Sequence, residues 1–298
     1  MLYMIRIEHL TKRFNNVIAV NDFSISIDKG IIGLVGENGA GKSTLLRLIS
    51  DVYEPTRGNI YIDELPSNHI DAKRKLFFLC DKPYVPVNTS IDEVFKLYSS
   101  LFEMDEEKFR SIMAKLSLPT DRKVSTFSKG MQRQFFIAMA LSTKCDYLLL
   151  DEAFDGLDPL VLETIRQEII ARSKDRTTIL SSHNMSSLER LCSSFIILSK
   201  GKLAKDGDAT DLGENMVKYQ ILFKNPTSRE ELEKLSIDII SYKMVGSICH
   251  LVIKGDAFDD IKKEFKPILI EQVAIDPDEL IVLQMMDAKK ARGEKNEH

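Results

Sequence analysis

A glycine-rich stretch that begins at Gly36 has the residue types and the spacing that bind phosphate. Gly36, Gly41, Lys42 and Ser43 fit the P-loop pattern G-x-x-x-x-G-K-[ST]. Glycines let the backbone approach the phosphates without a side chain in the way. The lysine is expected to reach the β- and γ-phosphates of a nucleotide, and the serine hydroxyl to bind Mg²⁺. The predicted nucleotide-binding residues of this stretch are Gly36, Glu37, Asn38, Gly39, Ala40, Gly41, Lys42, Ser43 and Thr44.

The segments on either side place this loop between a strand and a helix. The apolar run at residues 31–35 predicts a buried strand, and residues 44–50 have apolar side chains at helical spacing. In this order, the loop amides and the helix N-terminus point at one anion. The alternative is an ordinary glycine turn before a helix.

Two adjacent carboxylates form the second group of residues that could do chemistry. The apolar residues 147–150 run directly into Asp151 and Glu152. A buried strand that ends in two carboxylates is the Walker B arrangement. Asp151 is expected near the Mg²⁺ ion and Glu152 beside the γ-phosphate, where it would polarise the attacking water. By itself, the same pattern also fits a strand that ends in a solvated acidic turn.

Residues 125–141 connect these two motifs to a known family. Ser128 and Gly130 precede a strongly apolar helix, within the stretch F-S-K-G-M-Q-R. Here the chain resembles the ATP-binding cassette (ABC) ATPases, whose signature is L-S-G-G-Q, and the form S-K-G-M resembles that of exporter-type cassettes. A hydroxyl, a glycine and a helix N-terminus together make a second phosphate site. By themselves, Ser128 would be a helix N-cap and Gly130 a turn residue.

The order of the motifs along the chain extends the resemblance. His183, which follows the Walker B stretch after a short apolar strand, matches the histidine that contacts the γ-phosphate in the family. Asp158 closes the stretch D-G-L-D, which matches the D-loop. Phe14 matches the aromatic residue that stacks on adenine, and the alternative for it is a core phenylalanine. The resemblance thus implies that ATP and Mg²⁺ are the cofactors and that Glu152 and His183 are the catalytic residues.

The chain departs from the family at Asp81. The family usually has a glutamine at this position, at the end of a strand, and that glutamine binds Mg²⁺. Asp81 can still offer an oxygen to the cation, so we predict it as a metal ligand together with Ser43 and Asp151. Its negative charge beside the phosphates is expected to weaken nucleotide binding when Mg²⁺ is scarce.

The predicted fold class is α/β with two domains. Residues 1–213 are expected to form the ABC cassette of the P-loop NTPases, with a RecA-like core, an antiparallel β subdomain and a helical subdomain at about residues 88–140. Ser90 and Glu93 predict the start of a helix there, because they fit a capping box. Residues 214–298 show the order β-α-β-β-α-β, which predicts a small α+β ferredoxin-like domain that ends in an amphipathic helix.

The composition excludes several other classes of protein. Apolar residues make up 44% of the 298 residues and charged residues 29%, as in a globular protein. The net charge of −4 offers no positive field for nucleic acid, so none is expected as a partner. No stretch approaches the roughly 18 uncharged apolar residues of a membrane-spanning helix, and the N-terminus does not have the pattern of a secretion signal. The four cysteines form no C-x-x-C pair, which favours reduced thiols in the cytoplasm.

The number of nucleotide-binding motifs in the chain indicates which partners it needs. The chain carries one P-loop and one signature, whereas two cassettes of the family pack head to tail around ATP. The resemblance therefore implies a homodimer or a heterodimer with a second cassette. It also implies an integral membrane permease encoded separately, with the chain held at the cytoplasmic face of the membrane. The predicted function is the ATP-hydrolysing subunit of an ABC transporter, of the exporter type. The alternative is a soluble ABC-type regulator or a translation-associated ABC ATPase without a membrane partner.

The C-terminal domain carries a prediction of its own. Its last helix has an apolar side that must be covered. We expect the domain to hold two copies together, or to hold them to their partner, when ATP is absent. The alternative is that the last helix packs on its own domain.

Overall fold

The structure is a computed structural model and describes residues 4–84, 87–208, 211–225 and 227–293. The chain divides into two units, of which the first ends at Leu203 and the second begins at Ala204. This division falls N-terminal to Gly213, where the sequence places the end of the cassette. The limits of the functional domains stay a prediction.

The strands up to residue 208 form two sheets. They are β1 (Ile5–Phe14), β2 (Val17–Ile27), β3 (Gly30–Val35), β4 (Arg57–Ile62), β5 (Leu65–Pro66), β6 (Leu76–Leu79), β7 (Tyr147–Leu150), β8 (Thr177–Ser182), β9 (Ser194–Ser199) and β10 (Lys202–Asp208). One sheet has the order β2-β1-β4-β5, and its paired strands are antiparallel. The other has the order β10-β9-β3-β8-β7-β6, and β9, β3, β8, β7 and β6 are parallel neighbours. The predicted α/β fold is therefore confirmed.

Of the described helices of the first unit, all but the one that follows the P-loop begin at a residue whose side chain caps the helix. The helices of this unit are α1 (Lys42–Ile49), α2 (Ile70–Arg74), α3 (Ile91–Ser99), α4 (Glu106–Lys115), α5 (Lys129–Leu141) and α6 (Pro159–Arg172). The predicted capping box at the start of α3 is present, because Ser90 accepts from the Glu93 amide and Glu93 accepts from the Ser90 amide. Among the described residues, we find no helix with the length and apolarity that crossing a membrane requires.

The central parallel strands position the functional residues at one edge. Every residue of β7 and β8 is buried, as expected for parallel strands with both faces covered. The P-loop follows β3, Asp151 follows β7 and His183 follows β8. Because the carboxyl ends of parallel strands meet at one edge of the sheet, three segments that are distant in sequence converge there.

The second unit has the predicted order of elements. It contains β11 (Met216–Leu222), α7 (Arg229–Glu233), β12 (Asp238–Val245), β13 (Ile248–Lys254), α8 (Phe258–Phe265), β14 (Leu269–Val273) and α9 (Pro277–Ala291). The strands form an antiparallel sheet in the order β12-β13-β11-β14. The ferredoxin-like class of this unit stays a prediction.

Helices lie on both faces of this second sheet. Leu232 of α7 and Ile261 of α8 pack with Leu251 of β13 on one face. Val252 points to the opposite face, since neighbouring residues of a strand alternate, and there it packs with Leu283 of α9. The apolar side of α9 is thus buried within its own unit, as in the alternative reading of the last helix. That the domain holds two copies together, or holds them to their partner, when ATP is absent stays a prediction.

Candidate functional site

The P-loop adopts a backbone path that requires glycine. Gly41 has φ 108°, and a Cβ at this position would clash with the carbonyl oxygen of Ala19. A Cβ at Gly36 would clash in the same way with the carbonyl oxygen of Leu198. The loop therefore lies directly against the neighbouring backbone. It lines a cleft of about 220 Å³ together with Glu152.

Lys42 is held with its ammonium group at the mouth of the loop. Its side chain is only 5% exposed, and its Nζ donates to the carbonyl oxygens of Gly36 (2.6 Å) and Glu37 (3.2 Å). The carboxylate of Glu152 lies 3.4 Å from the same nitrogen. All these partners are oxygens, and phosphate oxygens can accept from the same ammonium. The predicted role of Lys42 in phosphate binding has support from this placement and stays a prediction.

Asp151 is the buried centre of the site. Its Oδ1 accepts hydrogen bonds from Ser43 Oγ (3.0 Å) and Ser181 Oγ (2.7 Å). Its Oδ2 is buried and has no hydrogen-bond partner in the described part of the chain. Burial raises the pKa of this carboxyl group. An orphaned carboxylate oxygen beside a hydroxyl matches the oxygen ligands that Mg²⁺ takes in nucleotide sites, so Asp151 and Ser43 fit the cofactor that the sequence implies.

Glu152 occupies an unusual backbone conformation next to this centre. Its φ is 49°, in the left-handed region, and its amide donates to Ser181 Oγ at 2.9 Å. Its carboxylate lies 3.2 Å from His183 Nδ1 and 3.4 Å from Lys42 Nζ. Burial acts to raise the pKa of Glu152, but the hydrogen bond with His183 and the charge of Lys42 outweigh it and lower the pKa. The group is thus an ionised acceptor beside the cleft, as a water-polarising residue must be.

The signature and D-loop residues cap helices. Ser128 Oγ accepts from the Met131 amide (3.2 Å) at the start of α5, and Asp158 accepts from the Leu160 amide (2.9 Å) at the start of α6. A Cβ at Gly130 would make only an ordinary contact, with Ser128 Oγ at 4.0 Å. Within the described residues, no hydrogen bond or ion pair joins Ser128, Gly130 or Asp158 to the P-loop. Their predicted contact with nucleotide stays a prediction.

Phe14 lies at the exposed end of β1. It is 39% exposed, its ring meets the edge of Tyr53 at 5.3 Å, and Lys12 Nζ lies 5.0 Å from its centroid. This exposure does not match the alternative of a core phenylalanine. The stacking of adenine on Phe14 stays a prediction.

Asp81 has a partner that the sequence did not reveal. Its Oδ1 accepts from Arg133 Nη2 at 2.8 Å, and Arg133 also donates to the carbonyl oxygen of Asp155. This arginine of α5 thus joins the segment after β6 to the segment after Glu152. The role of Asp81 as a metal ligand stays a prediction.

Sequence reasoning missed two residues of this site. Arg133 follows the signature, but its acceptors Asp81 and Asp155 lie in segments that only the fold brings together. Ser181 bonds Asp151 and the Glu152 amide from the neighbouring strand β8. The sequence signal that could have identified Ser181 was its hydroxyl near the carboxyl end of a buried strand, two residues before His183.

Replacing Asp81 with glutamine tests its charge. The Asp81→Gln variant leaves Arg133 without its carboxylate, so the site becomes more positive. We expect ATP to bind about twofold to fourfold more tightly at micromolar Mg²⁺ and equally at saturating Mg²⁺. Titration calorimetry over a Mg²⁺ series measures this, with Asp92→Asn as the control, because Asp92 is an exposed carboxylate that also pairs with an arginine. An affinity that is unchanged at every Mg²⁺ concentration would show that the Asp81 charge does not reach the nucleotide.

Together, the parallel sheet, the P-loop, the buried aspartate and the adjacent glutamate define a P-loop NTPase of the ABC cassette fold. The family model described as ABC transporter matches residues 20–155. The lantibiotic transport ATP-binding protein SrtF of Streptococcus pyogenes is 30% identical over 227 residues, which cover 74% of this chain and 99% of that protein. The ABC transporter ATP-binding protein NatA of Bacillus subtilis is 31% identical, over 71% of this chain and 92% of that protein.

A solved structure described as the ATP binding subunit of an ABC transporter aligns with a TM-score of 0.65. Its sequence identity is 25%, and the alignment covers 72% of this chain and 92% of that one. The chain belongs to the ABC transporter family of ATP-binding proteins, and it is an ABC ATPase.

Proposed function

We propose that this chain powers an exporter by hydrolysing ATP, with the membrane permease as a separate chain. The observation that carries the proposal is a cleft lined by Lys42, Ser43 and Glu152. Asp151 bonds Ser43 and His183 contacts Glu152 behind these lining residues. The S-K-G-M form of the signature supports an exporter. One relative is named for lantibiotic transport, and OpuCA of Listeria monocytogenes, of which the chain covers 54%, is named for carnitine transport. The two relatives are named for different substrates. We therefore infer that the residues that select the substrate are not among the features that this chain shares with them.

We infer the following roles in hydrolysis, which the placement of the side chains supports. Lys42 would bind the β- and γ-phosphates, and Ser43 and Asp151 would hold Mg²⁺, which would supply positive charge against the phosphates. Glu152 accepts a hydrogen bond from the attacking water and takes its proton. His183 would hold the Glu152 carboxylate, because its Nδ1 contacts Oε2 whereas Lys42 lies beside Oε1. The lowered pKa of Glu152 keeps the group ionised before the reaction.

Two cassettes are needed to complete the site. Ser128 and Gly130 make no hydrogen bond to the P-loop of their own chain within the described residues. In the proposed assembly, they face the γ-phosphate bound by a second cassette, which is another copy or a relative. ATP then joins the two cassettes, and its hydrolysis releases them. This cycle of pairing is the motion that the permease would use.

An apolar groove offers a place for the permease. It has a volume of about 230 Å³, and Ile49, Val52, Phe78 and Phe102 are among its lining residues. Val52 is 58% exposed although it is a large apolar residue. We propose that a helix of the permease fills this groove and so holds the chain at the cytoplasmic face of the membrane. Nucleic acid is not a proposed partner, because the chain has a net charge of −4.

Co-expression with any multi-spanning membrane protein encoded beside the gene of this chain tests the proposal. We expect the chain to sediment with membranes that contain this protein, and the Val52→Glu variant to remain in the supernatant with normal basal ATPase activity. Ile170→Glu is the matched control, because Ile170 is 50% exposed on α6 and does not line the groove. A chain that hydrolyses ATP but never sediments with such membranes would favour the soluble regulator or the translation-associated ATPase.

A further inference from the structure

Helices α5 and α6 end beside a cavity that shares no lining residue with the cleft of the P-loop. The cavity has a volume of about 380 Å³, within the roughly 300–1,000 Å³ of small-molecule sites. Its lining contains five basic side chains, which are Lys108, Lys144, Arg172, Lys174 and Arg176. We call this space the basic cavity. Because the whole chain has a net charge of −4, the excess of positive charge in the lining is local.

Carboxylates pair with only two of the five basic side chains. Lys108 forms an ion pair with Glu168, and Lys144 Nζ lies 2.7 Å from a carboxylate oxygen of Glu103. In the part of the chain that the structure describes, no carboxylate oxygen lies within 4.0 Å of the other three basic groups. The groups without an ion pair are Arg172, Lys174 and Arg176.

Other negative charge near the basic cavity is held elsewhere or is partial. Asp175 also lines the cavity, but it is 89% exposed and lies 3.7 Å from Lys29. Asp105, which lines it too, accepts a hydrogen bond from the Lys108 amide at the start of α4. Asp146 acts on Arg172 from beyond ion-pair distance. The C-termini of α5 and α6 carry only partial negative charges. These groups weaken the positive potential but pair with none of the three basic groups.

Arg172 is buried in the wall of the basic cavity. It is 9% exposed, its Nη1 donates to the carbonyl oxygen of Thr143 at 2.5 Å, and its Nη2 donates to the carbonyl oxygen of Cys145. Its Nε is buried and has no hydrogen-bond partner among the described residues. Buried charges are ordinarily paired, because removing a charge from water is costly. The two carbonyl groups supply hydrogen bonds to Arg172 but no full opposite charge.

Arg176 brings a second positive charge to the same point. Its Nη1 donates to the carbonyl oxygen of Thr143 at 3.2 Å, so two guanidinium groups share one acceptor. Burial, and then the charge of Arg176, lower the pKa of Arg172 to about 10. The Nε and Nη2 of Arg176 donate no hydrogen bond within the described residues. Like charges held this close repel each other, and an anion that contacts Arg176 would offset the repulsion.

We propose that the basic cavity binds a soluble small molecule through a phosphate group. The remaining N–H groups of Arg176 are suited to two phosphate oxygens, because a guanidinium group donates in a planar fork. Arg172 and Lys174 add positive charge beside them. A phosphate group carries up to two negative charges, so it offsets this excess better than a single carboxylate does. The volume of the cavity leaves room for the rest of a small molecule.

Phosphate titration of matched variants tests the site. Every protein in this experiment carries Lys42→Ala, because the P-loop is also expected to bind phosphate. Calorimetric titration with inorganic phosphate and with pyrophosphate, at constant ionic strength, compares this background with the same protein carrying Arg176→Gln. The Arg176→Gln change is expected to raise both dissociation constants at least about tenfold. Arg122→Gln is the matched control and should leave them unchanged, because Arg122 is exposed and makes no ion pair within the described residues.

Thermal unfolding gives a second readout of the same site. In the Lys42→Ala background, pyrophosphate at ten times its dissociation constant is expected to raise the midpoint of unfolding by about 3 °C. The same concentration should leave the midpoint of the Arg176→Gln protein unchanged. With Lys42 restored, Arg176→Gln is expected to keep normal basal ATPase activity, since Arg176 does not line the nucleotide cleft. Normal activity also confirms that this variant folds.

Three results would overturn the inference. The first is equal dissociation constants for the Arg176→Gln and Arg122→Gln proteins. The second is stabilisation by sodium chloride that equals stabilisation by pyrophosphate at the same ionic strength, because the effect is then only screening of charge. The third is binding to vesicles that contain phosphatidic acid but to neither soluble anion, which would place the phosphate group on a lipid. None of these results depends on the proposed coupling of the chain to a permease.

Discussion

The Glu152→Gln variant is expected to bind ATP as tightly as the wild-type chain and to hydrolyse it about 10²- to 10⁴-fold more slowly. The amide keeps the size of the side chain and can still contact Lys42 and His183. It cannot take a proton from water, so only the chemical step loses its acceptor. Asp151, which fits Mg²⁺, is unchanged. The ATP-bound state should therefore accumulate, and ultracentrifugation should find a dimer that wild-type protein loses as it turns over.

Single-turnover hydrolysis and equilibrium binding measure these two effects separately. Glu163→Gln is the matched control, since Glu163 is an exposed glutamate on α6 whose ion-pair partner is Arg166. It should leave both quantities unchanged. Near-normal turnover by Glu152→Gln would remove Glu152 from the catalytic role, whatever its distance from His183.

The Lys42→Ala variant is expected to bind ATP more weakly, so its defect precedes the hydrolysis step. The variant loses a buried ammonium group whose partners in the structure are oxygens, and phosphate oxygens would replace or join them. A hydrogen bond to a charged group contributes about 1.5–3 kcal/mol, so the dissociation constant for Mg²⁺-ATP should rise about 10- to 100-fold. Calorimetric titration measures the change.

An exposed lysine provides the comparison. Lys144→Ala removes an equal charge from a surface ion pair with Glu103 and should bind ATP normally. Equal affinities for Lys42→Ala and Lys144→Ala would contradict the assignment of Lys42 to the phosphates. Glu152→Gln is thus expected to lose turnover and keep its affinity for ATP, whereas Lys42→Ala is expected to lose affinity for ATP.

The parts of this site that the sequence predicted are contiguous in the chain. The P-loop with its flanking strand and helix occupies one short stretch of sequence. The same is true of β7 and the two carboxylates that follow it, Asp151 and Glu152. Helix caps such as Ser128 are local too, and they could be read from neighbouring residues. The bond between Ser181 and Asp151 was not predictable in this way, because it depends on β8 lying next to β7.

The features that the sequence did not predict depend on contacts between segments that are distant in the chain. The pairing of Asp81 with Arg133 required the segment after β6 to meet α5, and no local pattern encodes that meeting. The exposure of Phe14 depends on how the edge of the first sheet is covered. The sequence predicted α9 as a helix with an apolar side, but which surface covers that side depends on the two faces of a sheet formed by four separate segments.

The left-handed backbone at Glu152 has a consequence for attempts to stabilise the protein. A glutamate at φ 49° carries a conformational cost of about 1–2 kcal/mol that glycine would not have. A library screened only for heat resistance should therefore enrich glycine or asparagine at this position, and the enriched clones would be inactive. Selection for thermal stability has to be coupled to a screen for ATP turnover, because the more stable variants at this position are expected to be inactive.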